Sequence, residues 1–188
     1  MKTFGLLAHP VLHSLSPVLY EAWFREAGMK DAKFELFDVA PEELGAFFER
    51  MRDRHMGGAG ITGLAVSIPH KEAVIPYLDE VDSVARDIGA VNTISWHGKK
   101  LKGWNTDWIG VRESFAEAGV DVSGKRVLVL GAGGAARAVV YALMHAGAQV
   151  LVTNRTFDRA EDLASAFRCP LVHWDDRETV EAEIVVNT

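Results

Sequence analysis

Four short polar clusters break the otherwise apolar first half of the chain, and each holds side chains able to do chemistry. The first is His13-Ser14-Leu15-Ser16-Pro17. In extended backbone Ser14 and Ser16 share a face. Pro17 suits the first turn of a helix, with Ser16 as its N-cap. Two hydroxyls beside a helix N-terminus could receive a carboxylate. Taken alone, the cluster reads first as plain capping. The second runs from Gly63 to Lys71. Ser67 leaves a strand on the same side as Ala65, and Lys71 follows one helical turn later. A lysine near a strand end in a cleft can donate a proton if its pKa is lowered. Taken alone, Lys71 reads as a surface lysine. In the third, Gly89-Ala90-Val91-Asn92-Thr93, an amide interrupts an apolar strand, as a satisfied core group or a binder of hydroxyls. In the fourth, Gly103-Trp104-Asn105-Thr106-Asp107, the last three residues can cap a helix from Trp108. The position of Asp107 at a junction between the two halves makes it a site candidate.

The second half carries Gly131-Ala132-Gly133-Gly134-Ala135-Ala136, which fits G-x-G-x-x-A between an apolar strand and a helix. Gly131 allows the tight turn, Gly133 lets a pyrophosphate approach the backbone, and Ala136 permits close helix–strand packing. The helix start offers N–H groups and a positive dipole end. This context predicts a dinucleotide. An NAD site usually ends the next strand with Asp or Glu, whereas this chain has Asn154-Arg155-Thr156, with Arg159 one turn on. A guanidinium suits a 2′-phosphate, which favours NADP, while Asp158 pulls the other way.

These residues are set on alternating strands and helices. Apolar runs predict strands at 4–7, 33–39, 64–68 and 91–96, with 99–101 returning as a hairpin partner. Residues 33–39 place Phe34, Leu36 and Asp38 opposite Glu35, Phe37 and Val39. Helical spacing predicts helices at 18–27, with Leu19, Trp23 and Ala27 on one side, and at 41–54, burying Leu44, Phe47, Phe48 and Met51. Shorter helices fall at 70–78, with Pro76 as a break, and at 83–88. Residues 57–60 read as a turn. A helix at 108–118 leads into strands at 125–130, 149–153, 171–173 and 183–186, with helices at 135–145, ended by Gly147, and at 158–167. The expected fold class is α/β: an N-terminal α/β substrate domain over 1–106, then an incomplete Rossmann-type parallel-sheet domain over 107–188. The sequence stops at a strand end, which predicts a further C-terminal piece.

Composition narrows the function classes. The 188 residues are 48% hydrophobic and 24% charged, as in an ordinary globular protein. No apolar run approaches the roughly 18 residues of a membrane helix, and the N-terminus lacks a signal-peptide pattern. The net charge of −6 argues against nucleic acid or an anionic membrane as partner. Seven scattered histidines without metal-ligand spacing predict no metal. Single Cys169 fits a reducing compartment, hence the cytoplasm.

Together and in order, the clusters resemble the shikimate dehydrogenases, the NADP-dependent family of aromatic amino-acid biosynthesis. H-S-x-S-P stands at residues 13–17, N-V-T-x-P-x-K at 65–71, G-A-V-N-T at 89–93 and N-T-D-x-x-G at 105–110. G-A-G-G-A-A stands at 131–136 and N-R-T-x-x-R-A at 154–160. The resemblance implies reversible reduction of 3-dehydroshikimate by NADPH. It implies that Ser14 and Ser16 hold the substrate carboxylate, and that Ser67, Asn92 and Asp107 bind ring hydroxyls. Lys71 would be the acid/base with Asp107 as its partner, in a cleft where two halves meet. Gly131, Ala132, Gly133, Gly134, Ala135, Asn154, Arg155, Thr156 and Arg159 would hold NADP. The small-molecule substrate is the expected partner, with a homodimer as one option for assembly.

Three positions depart from the family pattern. Ala65 stands where Asn is usual, Ser67 where Thr is usual, and Trp104 where smaller or phenolic residues are common. The S-I-P-H-K form resembles the quinate/shikimate dehydrogenase branch, which often prefers NAD. The rival readings are therefore that branch and a nucleotide-binding module without turnover. The glycine turn and the Asn-Arg-Thr segment are shared with glutamyl-tRNA reductase. That enzyme needs a nucleophilic cysteine in its N-terminal domain, and Cys169 is in the wrong half. The resemblance also implies remaining sheet strands and a C-terminal helix carrying a Gln.

Overall fold

The computed structural model describes residues 1–56 and 60–188, so residues 57–59 of the turn predicted at 57–60 lie outside the described residues. The chain divides into two compact units. Met1–Asp87 with Val91–Trp104 form the first, and Ile88–Ala90 with Asn105–Thr188 the second.

The first unit is built on one mixed sheet. Its strands are β1 (Lys2–Ala8), β2 (Ala32–Asp38), β3 (Ile61–Val66), β4 (Glu80–Val81), β5 (Thr93–His97) and β6 (Lys100–Trp104). They lie in the order β2-β1-β3-β5-β6-β4. β1 runs parallel to β2 and β3, and β5 runs antiparallel to β3 and β6. The helices are α1 (Ser16–Glu26), α2 (Leu44–Met56), α3 (His70–Ala73) and α4 (Ser83–Ile88). One sheet face packs on α2, where Leu44, Phe47, Phe48 and Met51 are buried as their spacing predicts. The other face holds a smaller cluster of Leu6, Ala8, Val11 and Phe34. The period-2 reading of β2 holds, since Phe34 and Leu36 join the small cluster and Phe37 and Val39 the large one.

Several expectations need correction here. In α1 the stripe of Leu19 and Trp23 stays about half exposed, at 48% and 50%. Tyr20 and Phe24 pack instead, Tyr20 stacking on Phe34 at 4.1 Å. The helix predicted over 70–78 is interrupted near Pro76, as that residue predicts: α3 is followed by a single 3-10 turn at Ile75–Tyr77. Pro76 cannot donate to the helix ladder, which accounts for the division. β4 has two residues, too few for any alternation to register.

The second unit holds a parallel sheet, β8-β7-β9, from β7 (Arg126–Leu130), β8 (Gln149–Thr153) and β9 (Ile184–Asn187). α5 (Asp107–Glu117), α6 (Gly134–His145) and α7 (Phe157–Phe167) complete it. Ala136, Val139, Val140 and Leu143 of α6 form an i, i+3, i+4, i+7 stripe against Val127, Val129, Val150 and Val152. Gly147, at φ +83°, follows the C-cap of α6, and its N–H donates to the Met144 carbonyl. The strand expected at 171–173 is only an isolated bridge between Val152 and Leu171. Among the described residues no helix is long and apolar enough to cross a membrane, and no cluster of His, Cys, Asp and Glu could hold a metal ion.

Candidate active site

In the first unit, backbone hydrogen bonds bring two of the four polar clusters together at the ends of β1 and β3, beside the start of the loop that leads to a third. Ser67 N–H donates to Leu7 O at 2.9 Å, and His9 N–H to Ile68 O at 3.0 Å. The loop carrying Ser14 and Ser16 therefore leaves β1 beside the strand end carrying Ser67. Val66 N–H donates to Asn92 O at 2.7 Å, and Val91 N–H to Lys71 O at 2.7 Å. Ser67, Lys71 and Asn92 thus share one neighbourhood, all partly buried. Thr93 Oγ1 donates to Asn92 Oδ1 at 3.0 Å and fixes the amide's orientation.

The serine pair is not the N-cap its sequence implies. Ser16 is the first residue of α1 rather than its cap; Leu15 holds that position, with no side-chain capping bond. Instead Ser14 Oγ donates to Ser16 Oγ at 3.0 Å and accepts from Ser16 N–H at 3.2 Å. The two hydroxyls are tied to each other, adjacent and partly buried, at the helix start.

Lys71 sits in α3, whose four residues can close one turn only. Two features of this segment lie beyond the reach of the sequence. His70 is fully buried, and its Nε2 donates to Val39 O at 2.7 Å. Among the described residues its Nδ1 has no hydrogen-bond partner. The only sequence signal is a polar residue between Pro69 and Lys71, and nothing in the spacing announces its burial. A cavity of about 490 Å³ in this unit, lined by Ile75, Leu78, Asp79, Glu80, Val81, Arg86 and Lys102, contains none of the candidate residues.

In the second unit Asp107 opens α5. Thr106 is the N-cap but its side chain does not cap the helix, so the expected Asn-Thr-Asp cap works differently. Asn105 is buried and spans two segments: Oδ1 accepts from Asp107 N–H at 3.0 Å, and Nδ2 donates to Ala90 O at 2.9 Å. Asn105 was legible as a member of a polar cluster, but not as a clamp.

The glycine turn runs from β7 into α6. Gly131 has φ +126° and donates its N–H to Thr153 O at 2.9 Å. Gly133 is the N-cap of α6 and makes no side-chain bond. A Cβ placed on it would meet nothing within 4 Å. Open space therefore adjoins a helix start whose first N–H groups have no capping side chain, a cradle suited to a phosphate. Ala132 is buried beneath the turn, while Gly134 is partly buried and Ala135 exposed. At the end of β8, Asn154 Nδ2 donates to Thr156 O at 2.9 Å and holds that turn. Arg155, Thr156 and Arg159 are exposed, and neither arginine is in an ion pair among the described residues. The donor set and the open turn fit a dinucleotide phosphate with a cation at the ribose end.

Comparison with known proteins agrees with this geometry. Residues 6–94 match the shikimate dehydrogenase substrate binding domain, and residues 114–186 match the shikimate / quinate 5-dehydrogenase family. The chain is 42% identical to a shikimate dehydrogenase (NADP(+)) of Aquifex aeolicus, covering 100% of this chain and 67% of that protein. It is 51% identical to the one from Moorella thermoacetica, covering 98% and 64%. The crystal structure of the Aquifex aeolicus shikimate dehydrogenase matches with TM-score 0.88 at 40% identity, over 100% of this chain and 68% of that one. The Thermus thermophilus enzyme, solved with NADP(H) and shikimate, matches with TM-score 0.83 at 37% identity, over 100% and 68%. This chain spans about two thirds of the length of these relatives. On two family matches and full-chain likeness to its members, the chain belongs to the shikimate dehydrogenase family.

Proposed function

We propose that this chain carries the substrate-binding part and much of the cofactor-binding part of an NADP-dependent shikimate dehydrogenase, which interconverts 3-dehydroshikimate and shikimate. The observation that carries this reading is the convergence of Ser67, Lys71 and Asn92 at the ends of β1 and β3, beside the loop of the Ser14–Ser16 pair. Residues 1–106 bind substrate and residues 107–188 bind NADP. The cytoplasm suits a chain whose one cysteine can form no intrachain disulfide.

Ser14 and Ser16 receive the substrate carboxylate, a group their paired hydroxyls can hold by hydrogen bonds. Ser67 and Asn92 hydrogen-bond ring hydroxyls. Bound NADPH supplies the hydride. The carbonyl oxygen then gains negative charge, and Lys71 Nζ stabilises and protonates it. In the reverse direction Lys71 Nζ takes that proton. Asp107, at the start of α5, is the second catalytic candidate and a hydroxyl acceptor. Gly131, Ala132, Gly133, Gly134 and Ala135 present backbone to the pyrophosphate, and Asn154, Arg155, Thr156 and Arg159 hold the 2′-phosphate end.

The test is oxidation of shikimate and of quinate, each with NADP⁺ and NAD⁺, followed by reduced-cofactor absorbance. Turnover of shikimate with NADP⁺ supports the reading. Preference for quinate or NAD⁺ moves the chain to the quinate/shikimate branch. Cofactor binding by calorimetry without turnover leaves a nucleotide-binding module.

A further inference from the structure

We propose that His70 is a positioning residue for Lys71, acting through its Nε2–H bond to the Val39 carbonyl; this rests on the role given to Lys71 above. The four-residue α3 closes one internal bond, Val74 N–H to His70 O at 3.0 Å. So short a helix cannot fix its own direction, and its aim depends on ties to its surroundings. The backbone supplies two: His70 N–H to Ser67 O at 2.9 Å, and Val91 N–H to Lys71 O at 2.7 Å. Both lie on the β3–β5 side. The His70 ring supplies a third from another direction, the end of β2, at 2.7 Å. Val39 is itself held, its N–H donating to Ala8 O at 3.2 Å. The ring thus ties the start of α3 from a side that the two backbone bonds do not reach.

The chemistry of the ring supports a specific purpose. A carbonyl can only accept, so Nε2 carries the hydrogen. Nδ1 is then a buried nitrogen without a hydrogen-bond partner among the described residues, an arrangement folded proteins seldom keep without cause. An apolar side chain would occupy this buried site without burying a nitrogen. The side chain is therefore held for what Nε2 does, and Nε2 holds the residue next to Lys71.

The test compares His70→Phe, which keeps a planar ring and loses the donor, with His70→Gln, whose amide nitrogen can reach the Nε2 position. Below the melting range of each variant, H70F is expected to lower kcat by about tenfold or more, since small misplacements of a catalytic group are costly. KM for shikimate and the NADP⁺ dissociation constant should move far less, and H70Q should recover most of kcat. Trace labelling with acetic anhydride, read by peptide mass spectrometry, adds a readout free of turnover. The reactivity of Lys71 relative to Lys125 should change in H70F and return in H70Q. Absent turnover in the unsubstituted chain counts against the dehydrogenase reading, and the labelling pattern still decides the role of His70. Unchanged kcat, or, without turnover, unchanged Lys71 labelling in H70F overturns it. Equal loss in H70F and H70Q, with Tm falling in step, also overturns it in favour of a structural histidine.

Discussion

Val91 donates its backbone N–H to the carbonyl of Lys71 at 2.7 Å, so the segment leading to Asn92 and the helix carrying Lys71 are held as one piece. The bond belongs to the main chain, which has a practical consequence. Truncating Lys71 beyond Cβ leaves Val91 its acceptor and keeps the local fold.

Lys71→Ala is accordingly expected to cost turnover rather than structure. General acid–base groups contribute about 10²–10⁴-fold, so kcat should fall by that order. The NADP⁺ dissociation constant should stay within about twofold, because the cofactor turn belongs to other residues. Steady-state kinetics with calorimetry of NADP⁺ binding checks both halves. Near-normal kcat would remove Lys71 from the mechanism.

Arg155 is exposed at the end of β8 and has no carboxylate partner among the described residues. A hydrogen bond to a charged group contributes about 1.5–3 kcal/mol. Arg155→Ala should therefore raise KM for NADP⁺ by about 10- to 100-fold and leave KM for NAD⁺ nearly unchanged. An equal change for both cofactors would show that the arginine does not read the 2′-phosphate.

Gly89 sits at φ +72°, and a Cβ added there would stand 2.9 Å from Arg137 Nη1. Gly28 has nearly the same φ, +68°, with nothing within 4 Å. The left-handed conformation alone costs an L-residue about 1–2 kcal/mol. Gly28→Ala should lose about that much, and Gly89→Ala more, by the contact with Arg137. Urea unfolding of both variants isolates the difference. Equal losses would mean that the guanidinium simply moves aside.

The hydrogen bond from Arg52, 2.9 Å away, holds the Asp79 carboxyl below its ordinary range, aided by the Leu101 N–H, while partial burial pushes back. A carboxyl depressed in the fold stabilises it above the unfolded-state value near 3.8. That contribution disappears as pH falls through the lower folded-state value. Asp79→Asn should thus lower the urea midpoint at pH 7 and flatten its decline below about pH 4. Side chains about one third exposed keep the effect small. A steeper acid decline in the variant would contradict the assignment.

The elements that sequence reading located best are those where burial and punctuation agree. β8 is an apolar run between Gly147 and Asn154, and α4 has the bounds its spacing predicts. Where tertiary packing decides, the sequence was silent or misleading. Leu19 and Trp23 are apolar at helical spacing, yet Tyr20 and Phe24 meet the sheet. Leu171 is an apolar residue with a single bridge to β8. The site residues were legible by type, because hydroxyl, amide and ammonium groups stand out in apolar strands. Their convergence was not, because Asn92 comes beside Ser67 through the antiparallel pairing of β3 and β5, a long-range register that no local spacing encodes.

The first unit is interrupted: Ile88–Ala90 belong with the second unit, while Asp87 and Val91 on either side belong with the first. Neither unit is therefore encoded by one uninterrupted stretch of gene. A fragment begun at Asn105 would lack the Ala90 carbonyl that Asn105 Nδ2 binds, as well as the wholly buried Ile88. A fragment ended at Trp104 would carry three residues away from their partners. Swapping the cofactor unit between family members by a single crossover at residue 104 should give poorly folded chimaeras unless residues 88–90 travel with it.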